Sequence, residues 1–313
     1  MSVVNDSVVW VSGHRATWAR TLDGGATWTA GTLEPDSLQF RDVHALSADT
    51  AYLLAAGPGE MSRIYRTNDG GHTWALQFVA TDPRAFYDCL DFWDVNHGLV
   101  FGDAVDGHLA ILTTADGGNH WTALPDSGMP PPQAAGSEGG FAASGTCLVT
   151  WDRREAWIGT GAGDTARVLR TLDRGRTWMA APVPVLSGTG SSGITTLIRF
   201  NRQHGLALGG DLGGSDRPAT GSGARTDDGG RSWTPVAAPA FSGAIYGAAA
   251  VRSGGWAVAV GPGGMAFTSN GGASWQTLDT TAYWAVGFSA RDTGWSVGPD
   301  GRITRIVFTP APG

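Results

Sequence analysis

Four acidic residues, Asp88, Asp103, Glu138 and Asp211, lie in or beside loops where carboxylates are free to do acid and base work. Two carboxyls held roughly 5–10 Å apart, one protonated and one ionised, are what cleavage of a glycosidic bond requires. Other residues of the same loops and neighbouring strand starts are of the kind that line a binding face: Arg84, Tyr87, Asp106, Phe141, Ser144, Arg167, Tyr246 and Trp284, with Asp82, Asp164, Asp216 and Arg217 close by in the chain. No local motif assigns any of them a catalytic role. If the protein is a hydrolase, the four carboxylates are its acids and bases.

Other chemistries find less support. The string from Asp103 through Asp106 to His108 offers oxygen ligands to a hard cation but lacks the alternation of a dedicated calcium loop, and reads as a solvated turn. The seven histidines show no metal-site spacing, and His97 and His204, each before a glycine, read as turn residues. Gly188, Gly190 and Gly193 satisfy the dinucleotide fingerprint, but they lead into an apolar run, 194–200, that reads as a strand. That fingerprint needs a following helix to receive the pyrophosphate. Neither a cofactor nor a metal is therefore expected. A formal charge of -7 argues against a nucleic-acid partner, and no run of about 18 apolar residues exists to span a membrane.

The elements that must position these residues are set by one figure repeated six times. Thr21-Leu22-Asp23-Gly24-Gly25-Ala26-Thr27-Trp28 returns with its acidic or amide residue at Asp69, Asp116, Asp173, Asp228 and Asn270. In each copy the carboxylate or amide accepts backbone N–H groups across a tight turn, and a glycine supplies positive φ without steric cost. The closing tryptophans, Trp28, Trp74, Trp121, Trp178, Trp233 and Trp275, follow at intervals of 46, 47, 57, 55 and 42 residues. That is the period of a four-stranded propeller blade. Forty-eight glycines and 14 tryptophans suit many short strands with aromatic packing between sheets. The expected fold is all-β, a single seven-bladed β-propeller, or six-bladed if the ends combine differently. Approximate blades are 1–31, 40–78, 86–124, 141–181, 194–236, 245–278 and 283–308, with the repeated turn between the third and fourth strands. The first strand reads as cut short and the last blade as lacking a fourth strand, so a truncated N-terminus, with any signal peptide, is expected.

The repeated figure resembles the Asp-box, or BNR repeat, of sialidases, sortilin-type receptors, some xyloglucanases and the photosystem II assembly propeller. The pattern Gly-Trp-x-Val-Gly at Gly294-Trp295-Ser296-Val297-Gly298, and the related run from Trp256 to Gly261, are most similar to the photosystem II assembly type. The resemblance implies a propeller whose boxes are structural and whose ligand face lies opposite them, where the long connections 125–140 and 209–223 emerge. It also implies export. A sialidase would need an Arg-Ile-Pro motif, three substrate arginines and a Tyr–Glu pair. The nearest string is Arg63-Ile64-Tyr65, and Tyr246 and Tyr283 have no evident Glu partner. The arginine patch of the assembly factor is not evident either. The expected function is non-catalytic recognition of a protein segment or a glycan by a monomer, with glycoside hydrolysis as the alternative and a purely structural scaffold third.

Cys89 and Cys147 are the only cysteines and align at one position of successive inner strands. Side chains related by rotation about an axis point the same way round the ring, which predicts two buried thiols separated by more than the roughly 7 Å a disulfide allows.

Overall fold

In a computed structural model, residues 1–133, 138–214, 219, 221–252, 254–290 and 293–308 are described. Short β-rich runs broken by glycine turns form seven antiparallel meanders. Blade one contains β1 (Ser2–Val3), β2 (Val9–Ser12), β3 (Thr17–Thr21) and β4 (Thr29–Thr32). Blade two contains β5 (Phe40–Ala45), β6 (Ala51–Ala55), β7 (Arg63–Thr67) and β8 (Ala75–Val79). Blade three contains β9 (Tyr87–Phe92), β10 (Gly98–Val105), β11 (His108–Thr114) and β12 (Thr122–Ala123). Blade four contains β13 (Leu148–Trp151), β14 (Glu155–Gly159), β15 (Arg167–Thr171) and β16 (Met179–Pro182). Blade five contains β17 (Ser192–Arg199), β18 (Gly205–Asp211), β19 (Gly223–Thr226) and β20 (Thr234–Pro235). Blade six contains β21 (Gly247–Arg252), β22 (Trp256–Gly261), β23 (Gly264–Thr268) and β24 (Gln276–Asp279). Blade seven has three strands among the described residues: β25 (Ala285–Phe288), β26 (Thr293–Val297) and β27 (Ile303–Val307). Seven is thus the blade count, and among the described residues helix is confined to two single 3-10 turns.

Each repeated turn sits between the third and fourth strands of its blade. In the first, Asp23 Oδ1 accepts the Thr21 hydroxyl at 2.8 Å and the Thr27 N–H at 2.8 Å, while Oδ2 accepts the Thr27 hydroxyl at 2.6 Å. The Gly25 N–H closes the loop onto Thr21 Oγ1 at 2.9 Å. Gly24 and Gly25 hold φ of 71° and 92°, a region that costs an L-residue energy. The fourth box places Arg174 there at φ 63°. Its guanidinium is anchored by Arg153 O at 2.6 Å and Asp94 Oδ2 at 3.2 Å.

Packing follows the repeat. One apolar cluster fills each of the seven seams between blades. At several seams a large residue of one blade's second strand meets the box tryptophan of the next blade, as Trp10 meets Trp74 and Trp157 meets Trp233, at centroid distances of 6.0 and 5.4 Å. Trp295 joins Trp28 in the cluster that closes blade seven onto blade one. The ring is therefore held by aromatic packing all the way round; burying one such side chain stabilises by roughly 2–3 kcal/mol.

One expectation is overturned. Cys89 and Cys147 are joined in a disulfide, with Cα atoms 6.0 Å apart. Their strand positions are equivalent, as the alignment holds: Cys89 pairs across to Phe101, and Cys147 precedes Leu148, which pairs with Ile158. The error was one of radius. Inner strands of adjacent blades converge at the axis, so rotation by one blade moves an inner Cα only a short way, within reach of a disulfide.

Candidate functional site

The chain direction fixes which face is which. Inner strands begin on one face and run toward the turns that touch the boxes, as where the Gly271 N–H donates to Gly255 O at 2.9 Å. Residues at inner-strand starts therefore surround the mouth opposite the boxes.

The four candidate carboxylates do not form one site. Glu138 is fully buried and saturated: its Oε1 accepts Arg167 Nε and the Thr160 hydroxyl, each at 2.8 Å, and its Oε2 accepts Arg167 Nη2 and the Gln133 N–H. Such a carboxylate is a structural clamp on the connection entering blade four, with no proton or lone pair left for a substrate. Asp211 caps its own turn, accepting the Ser191 hydroxyl at 2.7 Å and the Gly213 N–H at 3.0 Å through Oδ1.

Asp88 and Asp103 are brought together on β9 and β10. Burial raises the Asp88 carboxyl well above the usual range and the charge of Asp103 adds to this, while the backbone N–H groups of Ala142 and Gly140 oppose it. Burial likewise raises Asp103 to about 6, against the Gly140 N–H. Their cover is the Gly139-Gly140 backbone. A Cβ on Gly139 would lie 1.8 Å from Asp103 Oδ1, and one on Gly140 would lie 2.8 Å from Asp88 Oδ2. Asp88 is 1% exposed, and its Oδ2 has no hydrogen-bond partner among the described residues.

The remaining candidates divide by exposure. Arg84 is exposed and bridges Asp82 and Asp106 at 2.8 and 2.5 Å. Asp106, at φ 52°, is the turn residue between β10 and β11. Tyr87 is buried, with its ring edge-on to Phe78. Phe141 lies over Gly161 and Gly193, where only glycine leaves room for its ring. Ser144 is buried and heads a hydroxyl chain through Thr146 to Thr196, with both links 2.7 Å. Asp216 and Arg217 lie outside the described residues. Among the described residues no group of three potential ligands is placed to hold a metal, and no helix is long and apolar enough to cross a membrane.

At the mouth, Tyr246 and Trp284 precede the inner strands of blades six and seven, half-buried and stacked at 5.5 Å between centroids with planes 27° apart. Arg41, near the start of β5, comes close enough to Tyr246 for their charges to interact. Arg41 is exposed on β5, yet desolvation by the protein around it lowers its guanidinium below the usual range and the Tyr246 oxygen opposes this. Sequence reasoning missed Arg41 and the polar wall below it. Asp42, buried on β5, accepts the Leu90 N–H at 2.8 Å. Burial raises it to about 7 against the N-terminal ammonium. His44 meets Asp91 at 2.9 Å. Strand register places Asp42 at the inner-strand position of Cys89 and Cys147, so the alignment that equated the two cysteines extends to Asp42, and only the distance from the axis was missing from it.

Neither a protein-family model nor a curated protein sequence matches the chain. Solved structures do. A structure of YCF48 bound to D1 peptide superposes with a TM-score of 0.67 at 18% identity, covering 98% of this chain and 92% of that one. YCF48 from Cyanidioschyzon merolae gives 0.63 at 16% identity, covering 98% and 94%. An ancestral GH74 enzyme gives 0.58 at 14% identity, covering 86% of this chain but only 36% of its own length. The likeness is one of fold. It agrees with the resemblance read from the repeats, and at these identities it transfers neither residues nor activity.

Proposed function

We propose that the protein is a non-catalytic binding propeller that recognises an extended protein segment at the mouth opposite the boxes. The observation that carries this reading is the Arg41, Tyr246 and Trp284 cluster: two stacked, partly exposed aromatic rings with an exposed guanidinium close by. Such a surface binds an apolar side chain on the rings and a carboxylate or backbone carbonyl on the arginine. The YCF48 propeller solved with a D1 peptide supports peptide binding as something this fold does. A glycan would use the same rings, and competition by soluble oligosaccharide tells the two apart. We place the protein, as a monomer, in an exported compartment; the disulfide supports this, because such bonds persist in oxidising surroundings. The test is a screen of immobilised peptides against the wild type and Trp284→Ala. Trp284 is half-buried at the surface, so the variant should keep its melting temperature and lose every specific hit. Hits that survive in both Trp284→Ala and Arg41→Glu would sink the proposal.

A second reading, glycoside hydrolysis, rests on the Asp88 and Asp103 pair, whose raised proton affinity is what a general acid needs. Burial of Asp88 beneath Gly139 and Gly140 speaks against it. Release of reducing ends from xyloglucan that disappears in Asp88→Asn would establish it.

A further inference from the structure

On the box face, the seams between blades are filled by a repeated device that one seam lacks. Strand register sets the residue before each box threonine opposite one residue of the blade's second strand. In blades one, two and four that pair is an arginine opposite a ring: Arg20 with Trp10, Arg66 with Tyr52 and Arg170 with Trp157. Arg20 lies over the Trp10 ring at 5.2 Å and Arg66 over the Tyr52 ring at 5.6 Å. Their donors then reach the turns of the next blade. Trp10 Nε1 donates to Ser47 O at 3.1 Å and Arg20 Nη1 to Ala48 O at 2.6 Å, while the Tyr52 hydroxyl and Arg66 Nη1 share Gly117 O at 2.7 and 2.8 Å. The space is full: a Cβ on Gly70 would fall 2.0 Å from Arg20 Nη1. In blade four the ring of Trp157 packs under Gly230, with Arg199 over it at 4.4 Å.

Blade five keeps the arginine and loses the ring, because Arg225 lies opposite Leu206. With no ring to cover, Arg225 turns back to its own box, where its Nε donates to Asp227 Oδ2 at 3.1 Å. Leu206 is fully buried and reaches as far as the second box glycine of blade six, so that a Cβ on Gly272 would lie 3.1 Å from Leu206 Cδ2. One residue earlier, a Cβ on Gly271 would meet nothing within 4 Å. Gly271 is the counterpart of Gly117, yet among the described residues no side chain donates to its carbonyl. The result is a cavity of about 380 Å³ between blades five and six, walled by Phe200, Gly255 and Gly271 and rimmed by His204, Arg225 and Asp227. That volume holds a bicyclic ring.

The filled seams define the chemistry of the occupant this one lacks. It is flat and apolar, as the rings of Trp10 and Tyr52 are, and it carries an N–H or O–H at its edge to satisfy a turn carbonyl. Arg225 at the rim can swing back over the face of such a ring, as Arg20 and Arg66 do, and its charge selects a neutral ring over a second cation. We propose that the cavity between blades five and six binds an indole or phenol ring supplied from outside the chain, with the ring between Phe200 and Arg225 and its donor on Gly271 O. The site lies on the box face and is independent of the Arg41, Tyr246 and Trp284 mouth.

Fluorine NMR with fluoroindole as the probe tests this on the whole chain. The probe signal should broaden with wild-type protein and sharpen when unlabelled indole competes, with a dissociation constant on the order of 1 mM or tighter. Leu206→Trp gives blade five the ring that blades one and four carry and should abolish binding. Arg225→Ala alters only the partly exposed rim and should weaken binding about threefold, which keeps the test decisive if Leu206→Trp does not fold. The N-methyl derivative, which cannot donate, should bind about fivefold more weakly; equal affinity overturns the assignment of Gly271 O. Trp284→Ala should bind as wild type, and loss of binding there would move the ring to the mouth and overturn the proposal. So would absence of broadening up to about 5 mM, or unchanged binding in both Leu206→Trp and Arg225→Ala. The acetyl amide of fluorotryptophan separates the sources of the ring: affinity equal to or above that of fluoroindole supports a side chain presented by a partner, and its exclusion supports a free small molecule.

Discussion

Opening the Cys89–Cys147 bond releases a loop of 58 residues that spans the seam between blades three and four. Chain-entropy reasoning puts the stabilisation from closing a loop of that length at roughly 4 kcal/mol. With an unfolding entropy near 2.1 cal/mol/K per residue, 313 residues give about 0.66 kcal/mol/K, so losing the bond should lower the melting temperature by roughly 6 °C. A mutant cycle separates the cross-link from packing. Cys89→Ala and Cys147→Ala each open the link and each remove one fully buried sulfur. Each single variant should therefore cost about 4–5 kcal/mol, and the double variant only about 1 kcal/mol more, far short of additive. Chemical denaturation at pH 7 gives the energies. Thiol alkylation in denaturant, followed by mass measurement, should add no label before reduction and two labels after it. Additive single-variant losses, or two labels without reduction, would refute both the bond and the convergence of inner strands that explains it.

Three further outcomes can be checked on the same apparatus. Asp228 accepts the Thr226 hydroxyl, the Ser232 N–H and the Ser232 hydroxyl, so Asp228→Ala should cost roughly 1–2 kcal/mol by urea unfolding. Asp228→Asn should cost less than half of that, because Asn270 already closes the sixth box through its Nδ2 on Ser274 Oγ at 2.9 Å. Glu138→Ala strands the largely buried Arg167 guanidinium and should destabilise by roughly 3–5 kcal/mol; a neutral result would mean the clamp is not structural. Stability should peak in mildly acidic solution and fall on both sides. Asp103 and Asp42, raised to about 6 and about 7, contribute most below about pH 4, and that contribution is lost as pH rises through those values. Asp23, Asp69 and Asp116, lowered to about 2 chiefly by side-chain hydrogen bonds from Thr27, Thr73 and His120, contribute above about pH 4 and lose that contribution as pH falls toward 2. Asp103→Asn should therefore flatten the alkaline limb and add roughly 1–3 kcal/mol at pH 8; an unchanged slope between pH 5 and 8 would show that Asp103 ionises normally.

What the sequence by itself determined is whatever depends on neighbours in the chain. The box turn is closed by residues two to four apart, Thr21 with Asp23 and Asp23 with Thr27, so its letters and its geometry are the same information. Repetition at 42 to 57 residues then makes each blade an antiparallel meander and the whole a ring, because no blade can bury its own faces. Tertiary structure decided what depends on radius and burial. Position in a repeat does not say how far a side chain lies from the axis. Convergence there paired Cys89 with Cys147, and it brought Arg41 of blade two to Tyr246 of blade six. The raised proton affinity of Asp88 and Asp103 was equally hidden, because a carboxylate's charge is set by the water it keeps. The Gly139-Gly140 backbone that removes that water is more than 30 residues away in the chain.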